Sequence, residues 1–206
     1  RSSISPLLAN IYLHYAFDLW AHDWRQQNAC GAVIVVRFAD DFLVGFEHRQ
    51  DAERFVVELR ERLAEFHLEL HPDKTRIVAF GRRADDDWRQ GNGPKPGTFD
   101  FLGFTHACDR TRKGKRFIVL RQTARSRLAR KLKSMKVWLR EHLHDPAPWV
   151  GAHLRRVILG HVQYFGVPRN GPSLRAFIKG LAWLWYKALR RRSQKTRMSW
   201  TRMYRL

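Results

Sequence analysis

Two carboxylates stand side by side at Asp40-Asp41, inside Ala32-Val33-Ile34-Val35-Val36-Arg37-Phe38-Ala39-Asp40-Asp41-Phe42-Leu43-Val44-Gly45-Phe46. The flanking runs, Val33 to Phe38 and Phe42 to Phe46, are rich in β-branched and aromatic residues, so they predict two strands with the acidic pair at a tight hairpin turn. Near-continuous apolar runs of this kind suit strands covered on both faces. Adjacent carboxylates repel, and partial burial adds a desolvation cost. A divalent cation relieves both, which makes the pair a candidate metal site. The other reading is an Asp-Asp turn that is simply solvated.

Other candidate groups are weaker. His67 and His71 share the four-residue spacing of zinc ligands, but Glu69 is misplaced for a His-Glu-x-x-His helix, Pro72 ends any helix there, and neither Cys30 nor Cys108 lies nearby. They read as surface or structural histidines. Asp85-Asp86-Asp87 falls in a Gly- and Pro-rich stretch, 81–97, and reads as a solvated charge run in an exposed loop. Lys74, after Pro72-Asp73, is either a phosphate contact or an ordinary surface charge.

The elements that must position these residues follow from periodicity. Ser5 is placed to cap a helix with Pro6 at its first position, and Leu8, Ile11, Tyr12, Tyr15 and Leu19 supply an apolar stripe expected to pack on the hairpin. Asp51 is placed to cap a second helix carrying Phe55, Val56, Leu59, Leu63 and Phe66. A strand is expected over 75–80, then strands over 99–107 and 116–120 joined by a turn around 112–115. Thr123 is placed as the cap of a helical region with helices near 124–143, 149–165 and 173–192, separated by proline-containing linkers. In the first of these, Leu128, Leu132, Met135 and Leu139 form the packing stripe. Arg125, Arg127, Arg130, Lys131 and Lys133 surround it, and Arg190, Arg191 and Arg192 end the third helix.

Several of these segments resemble, in order, the motifs of reverse transcriptases, the group II intron maturase branch above all. Phe38-Ala39-Asp40-Asp41 is similar to the Tyr-Ala-Asp-Asp box, with Phe38 in the aromatic position. Ile4-Ser5-Pro6-Leu7-Leu8-Ala9-Asn10-Ile11-Tyr12-Leu13 resembles the opening of the palm helix, while Leu68 to Thr75 and Phe99-Asp100-Phe101-Leu102-Gly103-Phe104 resemble the next two motifs. Ile118 to Thr123, Gly160 to Phe165 and Trp183 to Gln194 resemble the maturase-specific, or thumb, domain.

The resemblance implies an α+β chain: a partial polymerase palm, an antiparallel sheet with helices, over 1–122, and an α-helical maturase or thumb domain over 123–206. It implies RNA-directed DNA polymerase and intron-splicing activity, with two Mg²⁺ ions that have Asp40 and Asp41 among their ligands. Ser5, Pro6, Phe38, Ala39, Lys74, Leu102 and Gly103 would lie near primer and nucleotide. The implied partners are intron RNA, an RNA template, a DNA primer and deoxynucleoside triphosphates.

The family also uses an aspartate from an earlier strand that no residue here matches. Trp200 to Leu206 resembles a terminal motif that stops short, so the chain is expected to be a fragment. The alternative function is a non-catalytic RNA-binding maturase-like module. A reverse transcriptase of another retroelement is a third, disfavoured by the maturase-like segments.

Charge agrees independently. Residues 1–109 carry 13 Lys and Arg against 17 Asp and Glu, whereas 110–206 carry 26 against two. A half so basic destabilises itself by self-repulsion unless it meets a polyanion, and contact with phosphate relieves that while releasing counterions. Trp183, Trp185 and Tyr186 are expected mainly in the core, with stacking on unpaired bases as the alternative. Two cysteines without ligand spacing, no secretory leader and no span of about 18 apolar residues point to a reducing, cytoplasmic compartment and no membrane partner. The oligomeric state is not legible.

Overall fold

A computed structural model of the chain describes residues 4–113, 116–192 and 198–203. The fold is α+β, with small antiparallel sheets and a long helical region. By packing, the chain divides into two compact units, residues 1–78 and 79–206.

In the first unit, β1 (Val33–Phe38) and β2 (Asp41–Phe46) form an antiparallel hairpin whose register runs from Phe38↔Asp41 to Val33↔Phe46. Residues directly opposite share a face, so Val33, Val35, Phe42, Val44 and Phe46 lie together and pack on the core. That core comes from a long helical run and one further helix. The run comprises α1 (Ser5–Leu13), a π-helical turn (His14–Asp18) and α2 (Leu19–Gln27), and the helix is α3 (Arg49–Glu65). Phe17, Ala21 and Trp24 recur at helical spacing on the run, as do Phe55, Leu59 and Leu63 on α3, and all six are buried. Each large side chain removed from water contributes about 1.5–3 kcal/mol. Edge-to-face packing of Trp24 on Phe55, centroids 4.9 Å apart, adds about 0.5–1.5 kcal/mol, and the Trp24 indole N–H donates to Glu58 at 2.6 Å.

Four expectations for this unit are corrected. The hairpin is covered on one face only: Ile34 and Phe38 are 68% and 62% exposed on the other, because no further strand pairs with β1 or β2 among the described residues. The stripe Leu8, Ile11, Tyr12, Tyr15 and Leu19 does not pack on the sheet. The helical run carries two apolar sides, and the one bearing Phe17, Ala21 and Trp24 faces the hairpin. Ser5 is the first residue of α1 rather than its cap, which is Ile4. Asp51 is not a cap either. α3 begins at Arg49, and the buried Asp51 carboxylate instead accepts the N–H groups of Cys30 and Gly31 at 3.0 and 3.1 Å, fixing the approach to β1.

In the second unit, β3 (Phe99–Phe101), β4 (Phe104–Arg110) and β5 (Phe117–Thr123) form an antiparallel sheet in that order. The expected strand over 75–80 does not form; the Gly97 N–H donates to the Ala79 carbonyl without making a ladder. Within 81–97 the chain forms α4 (Arg82–Arg89) instead of an open loop. Asp85 is buried there, gripped by Arg89 at 2.9 and 3.0 Å and by Arg110 of β4 at 2.7 Å, while Arg110 also pairs with Asp86. Burial raises the Asp85 carboxyl, but the two guanidinium groups outweigh it and hold it below the usual aspartate value. Asp85 and Asp86 are therefore part of an ion-pair knot and not of a solvated run, while Asp87 stays exposed.

The helices α5 (Arg125–Glu141), α6 (Ala147–Phe165) and α7 (Gly171–Arg191) fall where periodicity places them, α6 and α7 each with a proline in the first turn. A short helix, α8 (Trp200–Met203), follows. Met135 and Leu139 pack against Val150, Leu154, Phe177 and Leu181, with Leu128 and Leu132 alongside. Gly180 permits the close approach of α7 to α5, since a Cβ there would meet Leu132 at 3.0 Å.

Thr123 ends β5 and does not cap α5, whose cap is Ala124. Its N–H and hydroxyl are both taken by Asn170, which is fully buried and also donates to the Phe165 carbonyl. No helix among the described residues is long and apolar enough to cross a membrane. Residues 1–3, 114–115 of the expected turn, 193–194 of the maturase-like segment and 204–206 of the terminal one lie outside the described residues.

Candidate functional site

Ala39 and Asp40 are the two loop residues of the hairpin, and Ala39 holds φ 54°. Two-residue hairpin loops need a positive φ at the first central position to match strand twist, which an L side chain adopts at a cost of roughly 1–2 kcal/mol. Asp41 opens β2 opposite Phe38, so both lie on the exposed face with Ile34, Val36 and Leu43. Asp40 and Asp41 are exposed, and neither has a hydrogen-bond or ion-pair partner among the described residues.

Arg37 is what fixes this turn. Its side chain emerges on the covered face, where a lone cation would be costly, and a fork of two bonds to Asp18, 2.7 and 2.6 Å, satisfies it. The remaining terminal nitrogen donates to the Asn10 side-chain oxygen at 2.8 Å and to the Ala39 carbonyl at 2.9 Å. One guanidinium thus ties the turn to both α1 and the π-helical turn. Hydrogen bonding from Arg37 lowers the Asp18 carboxyl more than burial raises it. Arg37 was not among the candidates. Its signal was a charged residue at an inward position of an alternating strand.

The donor chemistry fits a hard divalent cation: two carboxylates, unengaged, at the tip of a rigid hairpin. No group of three or more His, Cys, Asp or Glu side chains able to hold a metal occurs among the described residues, so Asp40 and Asp41 form a two-residue set. Ser5 and Pro6 lie exposed in the first turn of α1, and Lys74 is exposed in a turn closed by its N–H to the His71 carbonyl at 3.2 Å.

In the second unit, Leu102 and Gly103 form the two-residue turn between β3 and β4, with φ 50° and 81°. Positive φ at both suits such a turn, and Gly103 adopts it freely while Leu102 does so under strain. The turn is gripped from two helices. The Leu102 carbonyl accepts from the Tyr164 hydroxyl of α6 at 2.9 Å, and the Gly103 carbonyl accepts from the Ala124 N–H at the start of α5 at 3.0 Å. Phe104 lies against Tyr164 and Phe165, centroids 5.9 and 5.1 Å away. Tyr164 and Asn170 also escaped the sequence reasoning, because their partners are distant in the chain.

Arg125, Arg127, Arg130, Lys131 and Lys133 are all exposed on α5, without carboxylate partners among the described residues. Arg190 and Arg191 are exposed at the end of α7, with Arg190 over the Tyr186 ring at 5.9 Å, and Arg192 follows half-buried. The aromatic residues of α7 divide. Trp185 packs against the core, whereas Trp183 is exposed and stacks with Tyr186 and Trp200 at interplanar angles of 18° and 14°. That exposed stack departs from the core role expected of Trp183, because the groove it would fill is already closed by Leu181, Leu184 and Trp185.

The model of the family described as reverse transcriptase (RNA-dependent DNA polymerase) matches residues 2–106. A search of curated proteins finds no match.

Proposed function

The chain belongs to the reverse transcriptase (RNA-dependent DNA polymerase) family, and from that premise we propose that it supplies the catalytic hairpin and the thumb of a group II intron-encoded reverse transcriptase and maturase. Enzymes of this family generally use divalent metals, nucleic-acid template and primer, and nucleotides. Residues 1–122 would be palm, and 123–206 the maturase-specific or thumb domain. The observation that carries the assignment is the unpartnered Asp40-Asp41 pair at the tip of a hairpin whose turn is held by Arg37.

Asp40 and Asp41 would be among the ligands of two Mg²⁺ ions. Bound magnesium would supply Lewis acidity toward the primer 3′-hydroxyl and charge stabilisation toward the leaving pyrophosphate. The remaining work falls to the protein's own groups. Ala39, with its single methyl, leaves room for the primer end beside the carboxylates. Phe38 supports the hairpin by its ring, without the hydroxyl of the commoner tyrosine. Leu102 and Gly103 would support the primer, held in place by Tyr164 and the start of α5. Lys74 would meet phosphate. The basic surface of α5 and the arginines ending α7 would bind the backbone of intron RNA and template, giving the strong salt dependence of phosphate contacts.

Mn²⁺, a paramagnetic stand-in for Mg²⁺, tests the metal assignment on the chain itself. Its addition should broaden the amide resonances of residues 39–42 first, and Asp40→Asn or Asp41→Asn should suppress that. Broadening centred elsewhere, or unchanged in both variants, would leave the chain a non-catalytic RNA-binding module.

A further inference from the structure

The helices α5 and α6 line an open groove of about 700 Å³. A groove of this size is within the range that holds a nucleotide-sized ligand. Its walls combine Arg130, Lys131 and Lys133 with Trp138, His153 and Val157, and the carboxylate of Glu141 also lies on the lining. The three cations have no ion-pair partner among the described residues. Beneath them the rings are ordered. Trp138 lies nearly parallel to His153, His142 and Trp149, with interplanar angles of 15°, 19° and 23° and centroids 4.0, 4.2 and 5.8 Å away. Four flat rings from α5, its C-terminal cap and α6 therefore share one orientation; Trp138 and His153 line the groove, and Trp149, 47% exposed, lies beside the stack, 5.6 Å from His142 and 6.5 Å from His153.

A core needs no such parallel arrangement. Packed aromatic pairs are satisfied by edge-to-face contact, as Trp24 and Phe55 are in the first unit. A parallel column with an exposed ring is instead what another flat ring can extend. Burial, reinforced by Arg156, His142 and Lys131, holds the His153 imidazole below the usual histidine value, so near neutral pH it stacks as a neutral ring. Flat apolar surface flanked by unneutralised cations matches the two chemistries of a nucleotide: a base to stack and a phosphate to neutralise. Paired strands offer only the second, because their bases stack on one another.

We propose that the α5–α6 groove binds unpaired nucleotides of a polynucleotide, the bases adding to the ring column of Trp138, Trp149 and His153 and the phosphates meeting Arg130, Lys131 and Lys133. The proposal rests on α5 being a nucleic-acid surface and adds that the surface distinguishes unpaired from paired strands. Base–aromatic stacking contributes on the order of 1–3 kcal/mol per base, so loss of one ring weakens binding about tenfold.

The test measures binding of the chain to oligouridine, oligodeoxythymidine and duplex RNA at one salt concentration, by fluorescence anisotropy. Trp149→Ala and His153→Ala should each weaken single-strand binding about tenfold while duplex binding stays unchanged, and His153→Phe, which keeps a flat ring, should restore it. A loss confined to oligouridine identifies RNA as the strand; a loss on both identifies any unpaired strand. Unchanged single-strand affinity in both alanine variants, or an equal loss on duplex, overturns the proposal while leaving the basic surface of α5 intact. If the wild-type chain binds none of the three, the nucleic-acid role of the helices falls as well.

Discussion

A guanidinium on the covered face of a strand of valines must find a partner, and the partners of Arg37 are what locate the Ala39–Asp40 turn. Replacing it by Met keeps the apolar stem but leaves the Asp18 carboxylate, 29% exposed, with only His14 beside it at 3.5 Å, and frees the Ala39 carbonyl. Hydrogen bonds to charged groups contribute about 1.5–3 kcal/mol, so Arg37→Met should lower stability by about 2 kcal/mol in urea unfolding. The pH dependence has a definite sign. Asp18 is held below the ordinary aspartate value, so its stabilisation is full above that value and is lost as pH falls through the lower, folded one. The wild type should lose stability across that acid range, and Arg37→Met should show a shallower loss; parallel acid profiles would refute the pairing. Ala39→Gly should raise the thermal midpoint. Relief of roughly 1–2 kcal/mol of left-handed strain exceeds the roughly 0.5–1 kcal/mol that glycine costs in chain entropy. A lowered midpoint would show the turn to be unstrained. The acidic pair was legible in the sequence because its chemistry lies in adjacent residues. Arg37 was not, since Asp18 is 19 positions away and only the fold joins them.

Helices α5, α6 and α7 are readable because proline-containing linkers separate them and their buried residues recur at helical spacing, although on α7 periodicity does not separate the exposed Trp183 from the core. The run through α1 and α2 was misread for the opposite reason, as it carries apolar residues on two sides and only the packed hairpin selects between them. The segment 81–97 was read as a loop because α4 has no apolar stripe at all. It is held by Asp85 paired to Arg89 and to Arg110 of β4, a contact that spacing cannot show. Packing also links elements through the Leu102–Gly103 turn, and Tyr164→Phe isolates that link. It keeps the ring against Phe104 but removes the bond to the Leu102 carbonyl, worth about 1 kcal/mol. Amide exchange at Gly103 and Phe104 should quicken several-fold while the α5–α7 core stays protected. Exchange that quickens throughout α6 would mean that Tyr164 holds the helix and not the turn.

Across the whole molecule, charge separates the half proposed to bind phosphate from the half that carries Asp40 and Asp41, with 26 basic side chains against two acidic ones after residue 109. Arg125→Ala, Arg127→Ala and Lys131→Ala combined should weaken binding to structured RNA and flatten its salt dependence, each lost phosphate contact removing about one released counterion. Far-UV circular dichroism should stay unchanged, because Leu128, Leu132, Met135 and Leu139 are untouched. An unaltered salt slope in the folded triple variant would place the RNA elsewhere. Asp40 and Asp41 are proposed to serve nucleotide polymerisation. The most direct measurement is template-directed deoxynucleotide incorporation by this chain joined behind the upstream palm and fingers of a reverse transcriptase, with Mg²⁺ present. The wild-type sequence should support synthesis, and Asp40→Asn and Asp41→Asn should each lose it by at least about a thousandfold, with RNA affinity unchanged. Synthesis that persists in either variant, or an equal loss of RNA affinity, would contradict that role.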